Sequence, residues 1–318
     1  MFVSFHWQSS AFLFKLLCLS SFALAADKSP VRRAASAVAY YNPYDDRGSM
    51  LTTILGTYPP GQQEPLNMII SGNSDEAVLA LQQTDGGLLN YFLSLSFAGE
   101  CLGLHEGDSQ QANLGDGKGL LNQTAVMRYD YGDSSVGTCT ETVQGGNHFR
   151  YWVQNGTGAN SGAIFMAASY EEPEAEGHDI VVNGYNLGRD YIIGNITGSV
   201  IPTLTLTNAS TFSGSTSYGN YTYQTSVMYA SGLLQNTSIG INHNLTVWVE
   251  GVTNAVDGLV AVLDVSISER PANSSSGSSQ TQSTSSPQNT QGSAGWRLHP
   301  ELWALTTTLI CLLLSVAL

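Results

Sequence analysis

Beyond Gly198 the side chains alternate between apolar and polar through YTYQTSVMYA (221–230) and LVAVLDVSIS (259–268), and the threonine-rich PTLTLT (202–207) and LTVWVEGV (245–252) continue the pattern. A period of two places successive side chains on opposite faces of an extended chain, whereas a helix repeats every 3.6 residues. Threonine and valine, branched at Cβ, suit a pleated and half-buried surface. This half of the chain is therefore expected to be β-structure with exposed polar faces. AVMRYDYG (125–132), HFRYWVQ (148–154), GAIFMAASYE (162–171) and HDIVVNGYN (178–186) also read as strands.

The clear helical signal lies earlier. PLNMIISG (65–72) reads as a short buried strand. Asn73 and Glu76 then have the spacing of a capping box, and Ala77, Leu79, Ala80 and Leu81 continue a helix to Gly86 and Gly87. LLNYFLSLSFAGE (88–100) allows either state, and LHEGDSQQANLGDGKG (104–119) reads as a solvated loop whose glycines do not match a dinucleotide or phosphate loop. The expected fold class is α+β, a mixed, strand-rich single domain with an early strand-helix unit and a β-rich second half. No repeat of fixed period suggests a solenoid or propeller.

The ends of the chain carry a different message. Residues 1–25 hold the apolar run AFLFKLLCLSSFALA and finish in Ala23-Leu24-Ala25, the small-x-small pattern of a signal peptide, so export is expected. Lys15 interrupts the run, which is short for a membrane span. Arg32-Arg33 is a dibasic pair, making residues 26–33 a candidate propeptide. The domain is assigned to residues 34–270. Residues 271–292, rich in Ser, Thr, Gln and Asn, cannot bury a core and read as an extended stalk. Residues 293–318 read as a glycosylphosphatidylinositol attachment signal: small residues from Gly292, a polar spacer, and an apolar tail from Leu302. The attachment residue is Gly292 or Ser293. No Lys or Arg follows Leu318 as a cytoplasmic stop, which favours the lipid anchor over a transmembrane helix.

Sequons at Asn122, Asn155, Asn195, Asn208, Asn220, Asn236 and Asn244, with Asn273 in the stalk, agree with an extracellular glycoprotein on the outer face of the plasma membrane or in the cell wall. Within residues 34–270, six Lys and Arg stand against 23 Asp and Glu, about −17 net. Nucleic acid is a poor partner for such a surface. Cys18 and Cys311 leave with the terminal segments, so Cys101 and Cys139 are expected to form one disulfide in an oxidising compartment.

The combination of Pro65, Asn67 and Gly72, then His148, Arg150 and Trp152, then Ala167 and Ala168, then His178, Ile180, Arg189 and Asp190 resembles the carboxyl-terminal domain of bacterial LssY membrane proteins, a version of which also occurs alone in secreted fungal proteins. The resemblance covers about Glu64 to Ile193. The chain departs from it where Gly86-Gly87-Leu88 stand in place of a tryptophan, and in an insertion that holds the cysteines. The resemblance implies an architecture without a reaction.

Alternation puts His148, Arg150 and Trp152 on one strand face and the core-like Phe149, Tyr151 and Val153 on the other. Were His178-Asp179 and Arg189-Asp190 to meet them, the imidazoles, guanidiniums and carboxylates would make a clamp for an anionic or carbohydrate ligand, or a hydrolase site. The simpler reading is a structural lock in which Arg150 and Arg189 pair with Asp179 and Asp190 and the imidazoles bond to backbone carbonyls. No metal or cofactor is expected: His148 and His178 lack a third ligand at useful spacing, with no HExxH or His-x-His. There is no G-x-S-x-G nucleophile motif. Glu171, Glu172, Glu174 and Glu176 supply carboxylates for glycoside hydrolysis, though EEPEAE reads better as a solvated turn. Asp130, Asp133 and Glu141 lack the alternating ligands of a calcium loop. Trp152 and Trp248 are sugar-stacking candidates better placed in or beside the core.

Overall fold

The computed structural model describes residues 38–272, apart from residue 106. The signal peptide, Arg32-Arg33, the stalk with Asn273, and the attachment signal lie outside the described residues. In chain order the elements are β1 (Met68–Ile70), α1 (Glu76–Leu79), α2 (Leu88–Ser94), β2 (Phe97–Gly99), β3 (Gln111–Ala112), β4 (Leu121–Asn122), β5 (Ala125–Tyr129), α3 (Gly137–Gln144), β6 (Gly146–Asn155), β7 (Asn160–Glu171), α4 (Gly184–Thr197), β8 (Thr211–Tyr218), β9 (Tyr221–Thr237), α5 (Asn244–Val247) and β10 (Val256–Glu269), with short 3-10 turns between them. The fold is α+β and dominated by strand.

Eight of the strands form one sheet in the order β2-β5-β6-β7-β1-β10-β9-β8. Every neighbouring pair is antiparallel except β1 with β10. Both faces are covered, and the period of two sorts side chains between two cores. On one face Met68, Ile70, Phe149, Tyr151, Met166 and Leu263 pack against Phe92 of α2 and Ile192, Ile193 and Ile196 of α4. On the other, Ile69, Trp152, Phe165, Val260 and Val262 pack against Met50, Leu66, Leu114, Ile241 and Val247, supplied mostly by loops. A central strand buried on both faces has little room for polar side chains, which is why β1 is apolar throughout. None of the described helices is long and apolar enough to cross a membrane.

Several local expectations give way to tertiary demands. The helix after β1 stops at Leu79 rather than reaching Gly86, and no capping box forms: Asp75 is the cap residue, and its Oδ2 instead accepts from Ile267 N at 2.8 Å. HDIVVNGYN is not a strand. Ile180 makes an isolated bridge to Glu171, then Asn183 turns at φ 61° and α4 begins. Gly184 permits that turn, since a Cβ there would lie 2.4 Å from Ile180 Cγ2. LTVWVEGV contains α5 and a turn, and PTLTLT a 3-10 turn, whereas β9 and β10 follow the alternation. The glycine-rich loop is pinned rather than free. It carries β3, which pairs with β4 just beyond it, and buried Asp116 accepts from Asn155 N at 3.2 Å and Gly156 N at 2.8 Å.

Candidate functional site

Arg128 of β5, His148 of β6 and Ser169 of β7 are register partners, so their side chains form a row across three strands. Glu171 lies two residues beyond Ser169 on the same face of β7. Opposite it stands Gly146, where a Cβ would come within 2.9 Å of Glu141 Cγ. The absent side chain makes room for Glu141, which α3 directs inward. The disulfide between Cys101 and Cys139 ties α3 to the turn after β2, two residues before Glu141. Beyond Glu171 the chain loops through a 3-10 turn and returns to pair beside β7, with Glu172 N donating to Asp179 O at 2.7 Å and Val181 N to Tyr170 O at 3.0 Å. This return delivers His178.

The resulting cluster is compact. Arg128 Nη1 donates to Glu141 Oε2 at 2.7 Å and lies 3.6 Å from Glu171 Oε2. His148 Nδ1 is 3.4 Å from Glu171 Oε2 and 3.8 Å from Glu141 Oε1, and His178 Nε2 is 2.9 Å from Glu171 Oε2. Arg150 Nη1 lies 3.1 Å from His148 Nε2. A guanidinium only donates, so that nitrogen accepts and the ring proton sits on Nδ1. Ser169 Oγ is 3.2 Å from the same Nε2.

Burial sets the charges. His148, with no exposed side-chain surface, is pushed down to about 3 by desolvation and remains neutral. Desolvation pushes Glu141 up to about 7 despite Arg128. Burial also opposes ionisation of Glu171, but His148, the contact with His178, and Arg128 outweigh it and hold that carboxyl near 2. Contact with Glu171 raises His178.

The structure divides the residues singled out from sequence. His148, Arg150 and His178 come together, with Trp152 further along the same face, its Nε1 donating to Leu121 O at 3.0 Å. Asp179 does not pair with an arginine, and its Oδ1 contacts His243 Nδ1 instead. Arg189 and Asp190 belong to another centre. Arg189 Nε and Nη2 donate to Asp190 at 2.7 and 3.0 Å, Nη1 and Nη2 to Asp257 at 2.9 and 2.8 Å, and Nη1 also to Leu259 O at 2.9 Å. Tyr229 OH donates to Asp190 Oδ1 at 2.6 Å, and its ring lies 5.1 Å from Arg189 Cζ. The two imidazoles therefore meet Arg150 but not Arg189, and Arg189 pairs with Asp190 as in the structural-lock reading, whereas Arg150 does not pair with Asp179. Arg189 locks α4 to β9 and β10, while Arg128, Glu141 and Glu171 complete the histidine cluster.

Sequence reasoning weighed Glu141 and Glu171 only for other chemistries. The pairing of Gly145 with Gly146 at the start of a strand, just after Cys139, was the available signal that a side chain must fit there. The calcium set does not converge: Asp130 and Asp133 cap their own turn, accepting from Gly132 N and Ser135 N, while Glu141 joins His148 and Glu171. Glu174 and Glu176 are exposed in their turn, unlike Glu171, and Trp248 packs against the second core. The asparagines of six sequons are exposed, whereas Asn244 is half-buried with its Nδ2 donating to Ser238 O at 2.9 Å. Comparison of the chain with family models, with curated proteins and with solved structures finds no match.

Proposed function

We propose that this protein is an exported, N-glycosylated cell-surface protein, anchored by glycolipid at the outer face of the plasma membrane or passed to the wall, whose LssY-like domain does structural or binding work. One observation carries the non-catalytic reading. Two of the arginines that could grip an anion are already engaged by the protein: Arg189 directs all five of its N–H donors at protein oxygens, and Arg128 is held by Glu141. The clefts walled by Trp152, by Tyr58 and His243, by Tyr170 and Tyr191, by Asn186 and Asp257, and by Asp190 and Asn195 include none of His148, Arg150, His178 and Arg189 in their walls. A hydrolase using His148 and His178 with Arg150 and Arg189 on an anionic or glycan substrate would need those groups open to one cleft. Exposed sequon asparagines and an acidic surface suit extracellular display.

Two measurements test the proposal. Phosphatidylinositol-specific phospholipase applied to intact cells should release the protein, and retention after deletion of residues 302–318 would refute the anchor. Thermal unfolding of the wild type with neutral, sulfated and phosphorylated glycans identifies any ligand class by the stabilisation it gives. Turnover of a glycan that is lost in His178→Ala would overturn the non-catalytic reading.

A further inference from the structure

Glu141 Oε1, His148 Nδ1, Glu171 Oε2 and His178 Nε2 are buried atoms with no aligned hydrogen-bond partner; the first three converge within 4.8 Å of one another, and His178 Nε2 stands 2.9 Å from Glu171 Oε2 at the edge of the group. Buried polar atoms are seldom left so. We infer that Glu141, His148 and Glu171, with His178 as the outermost ligand, bind one divalent first-row transition-metal ion, for which zinc best suits the donors. This assignment is independent of how the protein is anchored.

The spacing supports it. Ligand atoms about 2.0–2.1 Å from a tetrahedral ion lie roughly 3.3 Å from one another. Here the measured contacts are 2.9, 3.4 and 3.8 Å, and the Glu141, His148 and Glu171 atoms all lie within 4.8 Å of one another. A mixed imidazole and carboxylate set without thiolate suits zinc and its neighbours better than calcium or magnesium, which take oxygen.

The surrounding groups hold the ligands in place. Arg128 occupies Glu141 Oε2 at 2.7 Å, which leaves Oε1 turned inward. Ser169 Oγ, 3.2 Å from His148 Nε2, can accept the ring proton when Nδ1 gives its lone pair to the ion. Arg150 stands against this arrangement because its Nη1 donates to the same Nε2 and favours the metal-free tautomer. Its Nε has no partner, so it can swing away on binding. Glu141 and His148 side chains are wholly buried, whereas His178 is 30% exposed and Glu171 13%, so the ion enters from the His178 side. Bound there, it joins α3, β6, β7 and the return loop, complementing the disulfide that secures α3.

The test uses the secreted, glycosylated protein, stripped with EDTA and dialysed. Zinc titrated by calorimetry should bind at one equivalent per chain and raise the unfolding temperature, and cobalt in its place should give the intense visible bands of a tetrahedral site. His148→Gln should abolish that equivalent. His178→Ala, on the exposed loop and expected to fold, should weaken binding by about tenfold or more. Arg150→Gln should strengthen it. The exposed His105 and Glu100 pair is the internal control, and His105→Ala should change nothing. The assignment is overturned if folded wild type binds none of zinc, cobalt, nickel or manganese. It is equally overturned if the equivalent survives His148→Gln, or disappears with His105→Ala.

Discussion

Replacing Arg189 with methionine removes the cation from a centre that has no exposed arginine surface and leaves Asp190, 2% exposed, facing Asp257, 15% exposed. The guanidinium is held well above its usual pKa because, although burial opposes its charge, Asp190 and Asp257 outweigh that cost. Taking one partner from a buried charge group costs about 3–5 kcal/mol, since what remains is charge without compensation. Asp257 keeps some solvent and the Leu259 N–H at 2.9 Å, and Asp190 keeps the Tyr229 hydroxyl at 2.6 Å, so the middle of that range, about 4 kcal/mol, is expected. For a domain of this size each kcal/mol moves the unfolding temperature by about 2–4 °C, giving a fall of about 8–16 °C. Circular dichroism melts of wild type, Arg189→Met, and the triple variant that adds Asp190→Asn and Asp257→Asn measure it. The triple variant should regain most of the loss, because no unpaired carboxylate remains. An Arg189→Met melt within about 2 °C of wild type, or a triple variant less stable than the single one, would refute the account of Arg189 as a structural lock.

Two further consequences concern the histidine cluster. In EDTA, His148, at about 3, and Glu171, at about 2, refuse protons that the unfolded chain accepts below 6.5 and 4.5, so both lower stability on acidification. Glu141, at about 7, accepts a proton that its unfolded form takes only below 4.5, so it adds stability as pH falls through that interval. The effects of His148 and Glu141 offset one another from about pH 6.5 to 4.5, leaving the urea midpoint nearly level there and falling steeply below. In Glu141→Gln the fall should begin near pH 6.5, and an unchanged profile would show that Glu141 does not titrate as described. Gly146→Ala sets a Cβ 2.9 Å from Glu141 Cγ on backbone at φ 150°, and should cost about 1–3 kcal/mol in urea unfolding while weakening zinc uptake. Equal stability of the two proteins would mean that α3 does not approach β6 so closely.

Much of what a single strand can express was readable in the sequence. The division of β6 into Phe149 and Tyr151 on one face and His148, Arg150 and Trp152 on the other follows from backbone geometry within seven residues, and the two cores obey it. The alternation of β9 and the pairing of Cys101 with Cys139 were legible for the same kind of reason: a local period, and a choice among very few cysteines. The segment 178–186 misled because its β-branched residues speak for a strand, while Asn183 and Gly184, backed against Ile180, turn the chain into α4.

The membership of the cluster was legible only in part: His148, Arg150 and His178 stood out in the sequence, whereas Arg128, Glu141 and Glu171 as their neighbours did not. Arg128 faces His148 only through the β5–β6 register, Glu141 arrives through the disulfide-tied α3 and the gap left by Gly146, and His178 is returned by backbone bonds to β7. In the same way Arg189 meets Asp257 only because α4 lies against β10. Local periodicity therefore determined which face of each strand carries polar groups. Which of those groups meet was decided by long-range register and helix placement, because side chains distant along the chain become neighbours only when the whole sheet has closed.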